Sequence, residues 1–129
     1  MTAPTNDASD FEAFKARREL GNARVLDTEH LGIKRFFRLD TDAYADRADK
    51  GGLDEPTKEL LGLVASSVLR CNDCIDYHLE RCVDVGLSET QIEDALNVAL
   101  VVGGSIVIPH LRHARLTLDA LAKIKGDRA

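Results

Sequence analysis

The chain has 129 residues, enough for one domain, and its 44% hydrophobic and 30% charged residues are typical of a folded globular protein rather than a disordered one. With 17 Lys and Arg against 22 Asp and Glu, the formal net charge is −5, which argues against a nucleic-acid-binding protein and against a polybasic membrane-surface protein. The three cysteines are too few, and odd in number, for a disulfide-stapled secreted module.

The first fifty residues form a predicted N-terminal helical segment. Asp7 or Ser9 can cap a first helix, and a second helical stretch covers residues 28–48 before a break at residues 49–52, Asp-Lys-Gly-Gly. Met1 to Asp10 lacks the basic and apolar regions of a secretory signal. The sequence therefore predicts a cytoplasmic protein, a compartment in which thiols are kept reduced.

A third helix is predicted to start at Asp54, with Pro56 tolerated in its first turn. Its stretch from Leu60 to Leu69 carries no charge and has apolar residues all around, which predicts a helix buried on most sides. Glu59 stands at the entry to this stretch. A carboxylate in that position is usually a solvated first-turn charge.

Three more helices follow. The fourth begins near Cys71 and ends at Gly86, the fifth is capped by Ser88 and interrupted at residues 103–105, and the last runs from Pro109 to about Lys125. No strand-like alternation persists anywhere in the sequence. We therefore predict an all-α single domain over residues 1–129, with about six helices.

The densest chemical signal lies at the start of the fourth helix, where residues 71–78 read Cys-Asn-Asp-Cys-Ile-Asp-Tyr-His. Unpaired amides and the helix dipole at such an N-terminus stabilise a thiolate. Cys71 and Cys74 can close and reopen a disulfide. His78 lies one turn beyond Cys74 on the same side and can exchange a proton near neutral pH.

A helical projection at about 100° per residue groups Cys71, Cys74 and His78 on an inward, apolar face, which predicts a shielded pocket. Four carboxylates fall on the opposite side and are predicted to face solvent: Asp73, Asp76, Glu80 and Asp84.

Each candidate has a simpler alternative. The cysteine pair can be inert core, and His78 can be a core histidine with its hydrogen bonds satisfied. Cys82, which has no partner three residues away, is best interpreted as a small buried hydrophobe.

Zinc is a rival interpretation of the same residues. Cys71 and Cys82 would be roughly 16 Å apart on one helix, too far to share a tetrahedral ion, although Cys71, Cys74 and His78 with a distant ligand remain an option. His110 and His113 have no carboxylate nearby in sequence and are interpreted mainly as part of a helix start. His110 can also reach a pocket or a subunit interface.

Together these residues resemble the alkylhydroperoxidase D-like branch of the carboxymuconolactone decarboxylase family. The resemblance covers residues 53–120. It rests on Lys-Glu-Leu at residues 58–60, the Cys-x-x-Cys-x-x-x-His pattern from Cys71 to His78, Gly-Leu-Ser at residues 86–88, and the glycine pair at residues 103–104. The spacing of Glu59, eleven intervening residues and the cysteine motif is intact.

The resemblance implies an all-helical subunit that forms homo-oligomers, trimers or hexamers, and reduces hydroperoxides without a cofactor. It implies that Cys74 attacks the peroxide and becomes a sulfenic acid. Cys71 would then resolve it to a Cys71–Cys74 disulfide, with Glu59 and His78 as a proton relay through a water. An external dithiol of lipoyl or thioredoxin type would reduce the disulfide.

Two features of the resemblance bear on activity. The best-studied peroxidases of the family carry a histidine just before the second cysteine, whereas this chain has Asp73, an anion that disfavours a nearby thiolate. The decarboxylase branch lacks the cysteine pair, so lactone decarboxylation is disfavoured. The remaining alternatives are a metal-binding module and a redox sensor without turnover.

Overall fold

The computed structural model describes residues 7–128, so residues 1–6 of the stretch searched for a targeting signal lie outside the described part. Within it the chain is helical and contains no strand, which confirms the all-α prediction. Short 3₁₀ helices occur at Ala48–Lys50 and Ser105–Val107. The six α helices are α1 (Ala8–Leu26), α2 (Leu31–Ala43), α3 (Glu55–Val68), α4 (Asn72–Asp84), α5 (Glu89–Gly103) and α6 (Ile108–Arg128).

Side-chain caps start three of these helices where the sequence predicts them. Asp7 and Ser88 each form a reciprocal capping box, and the Asp54 carboxylate accepts a hydrogen bond of 2.8 Å from the Thr57 N–H. Such caps satisfy backbone donors that the first helical turn leaves unpaired. They involve residues three apart, which explains why the sequence alone locates them.

Helix α2 is shorter than the predicted stretch over residues 28–48. Before it, the Thr28 hydroxyl accepts a hydrogen bond from the His30 N–H. After it, the Asp46 carboxylate accepts hydrogen bonds from the N–H groups of Ala48 and Glu55, so the chain turns before α3. These local bonds offer the backbone partners other than helical ones.

The core lies where α3 packs on α4 and α5, and where α4 packs on α6. Helix α1 also packs on α6. Each fully buried aliphatic side chain contributes about 1.5–3 kcal/mol to folding. The largest fully buried aliphatic side chains are Leu63, Ile75, Leu79, Ile92, Val107 and Leu118.

The prediction that α3 is buried on most sides does not hold within the single subunit. Leu61 and Leu69 are 54% and 77% exposed, because α4 and α5 cover only the opposite side of the helix. Exposed Val98 and Val102 of α5 continue this apolar surface, which encloses a groove of about 590 Å³. We call this surface the α3–α5 face.

The prediction that Asp76 faces solvent is also wrong. Because α4 is covered by α3 on one side and by α6 on another, Asp76 is only 5% exposed. Its Oδ1 accepts a hydrogen bond of 2.7 Å from the Thr117 hydroxyl and lies 2.8 Å from His113 Nε2. The partners on α6 compensate the burial of a charged group.

Candidate functional site

Cys71 and Cys74 form a disulfide at the N-terminus of α4, with their Cα atoms 5.3 Å apart. Cys71 occupies the N-cap position, where its Sγ accepts a hydrogen bond of 3.3 Å from the Cys74 N–H. After reduction, the same amides and the helix dipole favour a thiolate at this end of the helix. The pair is therefore placed for reversible dithiol–disulfide chemistry.

The connection from α3 places Cys71 directly at this helix start. Arg70 adopts a left-handed conformation with φ of 62°, and the N–H groups of Arg70 and Cys71 donate to the carbonyls of Ser67 and Ser66. This is a Schellman arrangement, which ends one helix and lets the next begin at once. A left-handed non-glycine residue is uncommon and carries some strain.

Cys74 is exposed in an open cleft, and Cys71 is half-buried. The predicted inward burial of both cysteines is therefore wrong, because α1 and α2 border the first turn of α4 without closing over it. The cleft has a volume of about 470 Å³. Its lining comes from three helices: Phe14, Arg17, Arg18, Gly21 and Asn22 on α1; Asp40 and Tyr44 at α2; and Asp73, Cys74, Tyr77 and His78 on α4.

Glu59 and His78 meet below this cleft. The Glu59 Oε1 and His78 Nδ1 atoms are 2.9 Å apart, and the two residues are only 2% and 7% exposed. An ionised carboxylate only accepts hydrogen bonds, so Nδ1 of the imidazole is the donor and Nε2 is free to accept. The Arg81 guanidinium places a positive charge beside the buried carboxylate, with Nε 3.6 Å from Glu59 Oε2. Glu59 is thus a buried partner of His78 and not a solvated first-turn charge.

Gly62 makes room for the imidazole. It lies on α3 three residues beyond Glu59, on the same side of the helix. A Cβ atom at this position would lie 2.5 Å from His78 Cε1 and 2.7 Å from His78 Nε2. Only glycine therefore allows the ring of His78 to lie against α3 in the orientation seen.

Two tyrosines, which the sequence analysis missed, surround the same imidazole. The Tyr44 hydroxyl is 3.4 Å from His78 Nε2, and the Tyr77 ring packs edge-on at 5.0 Å between centroids. Burial, together with the negative charge of Glu59, raises the pKa of both phenols, so both stay protonated near neutral pH. The Arg18 guanidinium stacks on the Tyr77 ring at 4.1 Å.

The other candidate residues lie away from the cleft. Cys82 is a fully buried free cysteine, and burial raises the pKa of its thiol to about 12. It therefore packs in the core as a small hydrophobe. His110 Nδ1 lies 2.8 Å from Asn72 Oδ1, and His113 pairs with Asp76, a carboxylate supplied by another helix.

Over residues 7–128, no three side chains from His, Cys, Asp and Glu come together as a metal site. No helix in that range is long and apolar enough to cross a membrane.

Comparison with solved structures gives close matches. Two crystal structures of one Thermotoga maritima protein share 51% and 54% identity with this chain, with TM-scores of 0.78 and 0.81. The first covers 92% of this chain and 94% of its own, and the second 90% and 98%. That protein is described as a "carboxymuconolactone decarboxylase family protein possibly involved in antioxidative response".

More distant relatives share the fold or part of the sequence. A carboxymuconolactone decarboxylase family protein of Legionella pneumophila, solved in its apo form, has a TM-score of 0.72 and 24% identity over 88% of this chain and 96% of its own. An uncharacterized protein of the cox locus of Paracoccus denitrificans is 29% identical over 86 residues, 67% of this chain and 74% of that protein. The carboxymuconolactone decarboxylase family model matches residues 34–115, more than half of the sequence, and the chain therefore belongs to the carboxymuconolactone decarboxylase family.

Proposed function

We propose that this protein reduces hydroperoxides through a dithiol–disulfide cycle of Cys71 and Cys74. The observation that carries the proposal is the disulfide at the start of α4, beside the buried Glu59–His78 pair and open to the Cys74 cleft. An inert pair of core cysteines would be buried, whereas Cys74 is exposed to the cleft. The description of the Thermotoga maritima protein as "possibly involved in antioxidative response" supports the same class of chemistry.

In the oxidative half of the cycle, the Cys74 thiolate attacks the O–O bond of the hydroperoxide. The bond breaks, the sulfur becomes a sulfenic acid, and the alkoxide leaves with a proton as an alcohol. The Cys71 thiol then attacks the sulfenic sulfur, forming the disulfide and releasing water. Cys74 is assigned the attack because it is the more exposed of the two and lines the cleft.

In the reductive half, an external dithiol donates two electrons. One of its thiolates attacks the disulfide, and its second thiol resolves the mixed disulfide, so the protein regains two thiols and the donor becomes a disulfide. A lipoyl- or thioredoxin-type dithiol has this chemistry. We place the reaction in the cytoplasm, where such donors are kept reduced.

Glu59 and His78 supply the proton path. Because Nδ1 of His78 donates to Glu59, its Nε2 can take a proton from the cysteine pair or return one to the leaving oxygen through a water or the Tyr44 hydroxyl. The buried carboxylate stabilises the imidazolium that forms in between. Such general acid–base assistance is worth roughly 10²–10⁴ in rate.

We further propose that the protein is a homo-oligomer, a trimer or hexamer, in which another copy covers the α3–α5 face. Exposed apolar side chains such as Leu61, Leu69, Val98 and Val102 form a contiguous surface of the kind that marks protein contacts. Light scattering of the wild type should give a multiple of the subunit mass. A Leu69→Glu variant should dissociate, and a monomeric wild type would contradict this proposal.

The test of activity is a peroxide-consumption assay with several dithiol donors, paired with a count of free thiols before and after. Cys74→Ser should abolish turnover and keep the helical circular dichroism, whereas Cys82→Ala, which removes the buried third thiol, should retain turnover. Full activity of Cys74→Ser would refute the proposal. Disulfide formation without repeated turnover by any donor would indicate a redox sensor instead, and zinc in stoichiometric amount after purification without added metal would indicate a metal-binding module.

A further inference from the structure

Tyr44 stands at the end of α2, far in sequence from the cysteine motif, yet its hydroxyl reaches the catalytic imidazole. The 3.4 Å contact joins it to Nε2 of His78, the nitrogen that Glu59 leaves free to accept. The two rings are also tilted against one another with centroids 5.4 Å apart. Tyr44 is the C-cap residue of α2, and it lines the Cys74 cleft together with His78.

A lysine fixes the backbone on both sides of this tyrosine. Lys58 Nζ donates hydrogen bonds of 2.8 Å and 2.7 Å to the carbonyl oxygens of Ala43 and Ala45. Lys58 directly precedes Glu59 on α3. Two adjacent residues of α3 therefore act on opposite nitrogens of His78. Glu59 contacts Nδ1 directly, and Lys58 holds the backbone of Tyr44, whose hydroxyl contacts Nε2.

The chemistry of the three groups is consistent with one proton arrangement. The carboxylate of Glu59 accepts from Nδ1–H, and the phenol of Tyr44, which stays protonated near neutral pH, can donate to Nε2. Both nitrogens of a neutral imidazole then have a partner, and one tautomer is selected. A phenol can both donate and accept, so it can also pass a proton between Nε2 and a group or water in the cleft.

We propose that Tyr44 is a positioning residue for this site: its hydroxyl donates to His78 Nε2 and holds the imidazole with Nδ1–H on Glu59, and the Lys58 clamp holds Tyr44 in place. Its role in catalysis rests on the proposed hydroperoxide reduction. The hydrogen bond itself does not, so the two can be tested separately.

The experiment compares wild type, Tyr44→Phe and Tyr77→Phe by ¹⁵N NMR of labelled histidine in the oxidised protein. In wild type, the acceptor Nε2 of neutral His78 should resonate upfield of an unbonded imidazole nitrogen. Tyr44→Phe should move it downfield, while Tyr77→Phe, which removes a hydroxyl from the same cleft, should not. An unchanged Nε2 signal in Tyr44→Phe overturns the proposal whether or not the protein consumes peroxide.

The same variants are then assayed for peroxide turnover across pH. Tyr44→Phe should lower kcat about tenfold with KM unchanged and shift the pH profile, a smaller loss than the roughly 100-fold or greater loss expected from removing His78. An unaltered kcat and profile in an active protein would overturn the positioning role. If Tyr44→Phe does not fold, Lys58→Met, which releases the clamp and keeps the phenol, should produce the same downfield shift, and its absence would also overturn the proposal.

Discussion

Replacing Gly62 by alanine tests whether the orientation of His78 matters for the chemistry. Alanine in a helix interior normally gains about 1 kcal/mol over glycine. Here the new Cβ would lie 2.5 Å from Cε1 of His78, so the ring must move or the helices must separate. Such overpacking costs about 1–3 kcal/mol, and a buried Glu59 that loses its imidazole partner costs about 1–3 kcal/mol more. We therefore expect a net destabilisation of at least about 1 kcal/mol.

The activity should fall further than the stability. Misplacement of a reacting group by about 1 Å can cost roughly 100-fold in rate. Urea unfolding followed by circular dichroism measures the change in the free energy of unfolding, and peroxide turnover by the folded protein measures kcat. Gly21→Ala is the stability control, because Gly21 lies inside α1 and a Cβ there would have no neighbour within 4 Å. That variant should gain about 1 kcal/mol.

The critical result is whether Gly62→Ala lowers the free energy of unfolding while Gly21→Ala raises it. If Gly62→Ala were as stable as Gly21→Ala and kept full turnover, the close approach of α3 to His78 would be of no consequence. The catalytic role proposed for the Glu59–His78 pair would then be refuted. Loss of stability with full turnover in the folded fraction would instead limit Gly62 to a packing role.

Two further predictions follow from the burial of charged and phenolic groups. Tyr44 and Tyr77 are the only tyrosines and the chain has no tryptophan, so an alkaline absorbance titration reports this site alone. Both phenols should titrate above pH 10, and Glu59→Gln should lower both pKa values. Because the folded state holds these protons more tightly than the unfolded state, the free energy of unfolding should fall as the pH rises past the unfolded pKa of about 10. Titration at ordinary values would contradict the burial of the site. Asp76→Ala should cost about 1–3 kcal/mol by urea unfolding, because it removes the carboxylate that two α6 side chains contact, whereas a solvent-exposed aspartate would cost less than about 0.5 kcal/mol.

The features predicted from sequence are those that depend on residues close along the chain. The caps at Asp54 and Ser88 involve residues three apart, and so does the cysteine pair. The tyrosine at the imidazole could not be found this way, because Tyr44 and His78 are 34 positions apart and no spacing rule links them. Tyr77, within the motif itself, could have been found from its place beside His78.

The wrong burial predictions for Asp76 and Cys74, both on α4, have one physical cause. A helical projection gives the angle of each side chain about its own axis, but the number and position of neighbouring helices decide which angles are buried. Helix α4 has neighbours on two sides, so Asp76, opposite the cysteines, is buried against α6. The first turn of α4 borders an open cleft, so Cys74 is exposed although it lies on the apolar face.

Helix α3 connects the site to the surface proposed for assembly. Glu59 and Gly62 lie on the side of α3 that faces His78, and Leu61 lies on the opposite side, on the α3–α5 face. A subunit packed on that face would hold in place the helix that carries the buried carboxylate and the Lys58 clamp. Dissociation by Leu69→Glu should therefore weaken the Nε2 contact of His78 as well as the assembly. If the monomeric variant kept the wild-type His78 signal, the site would be complete within one subunit, and the α3–α5 face would serve assembly alone.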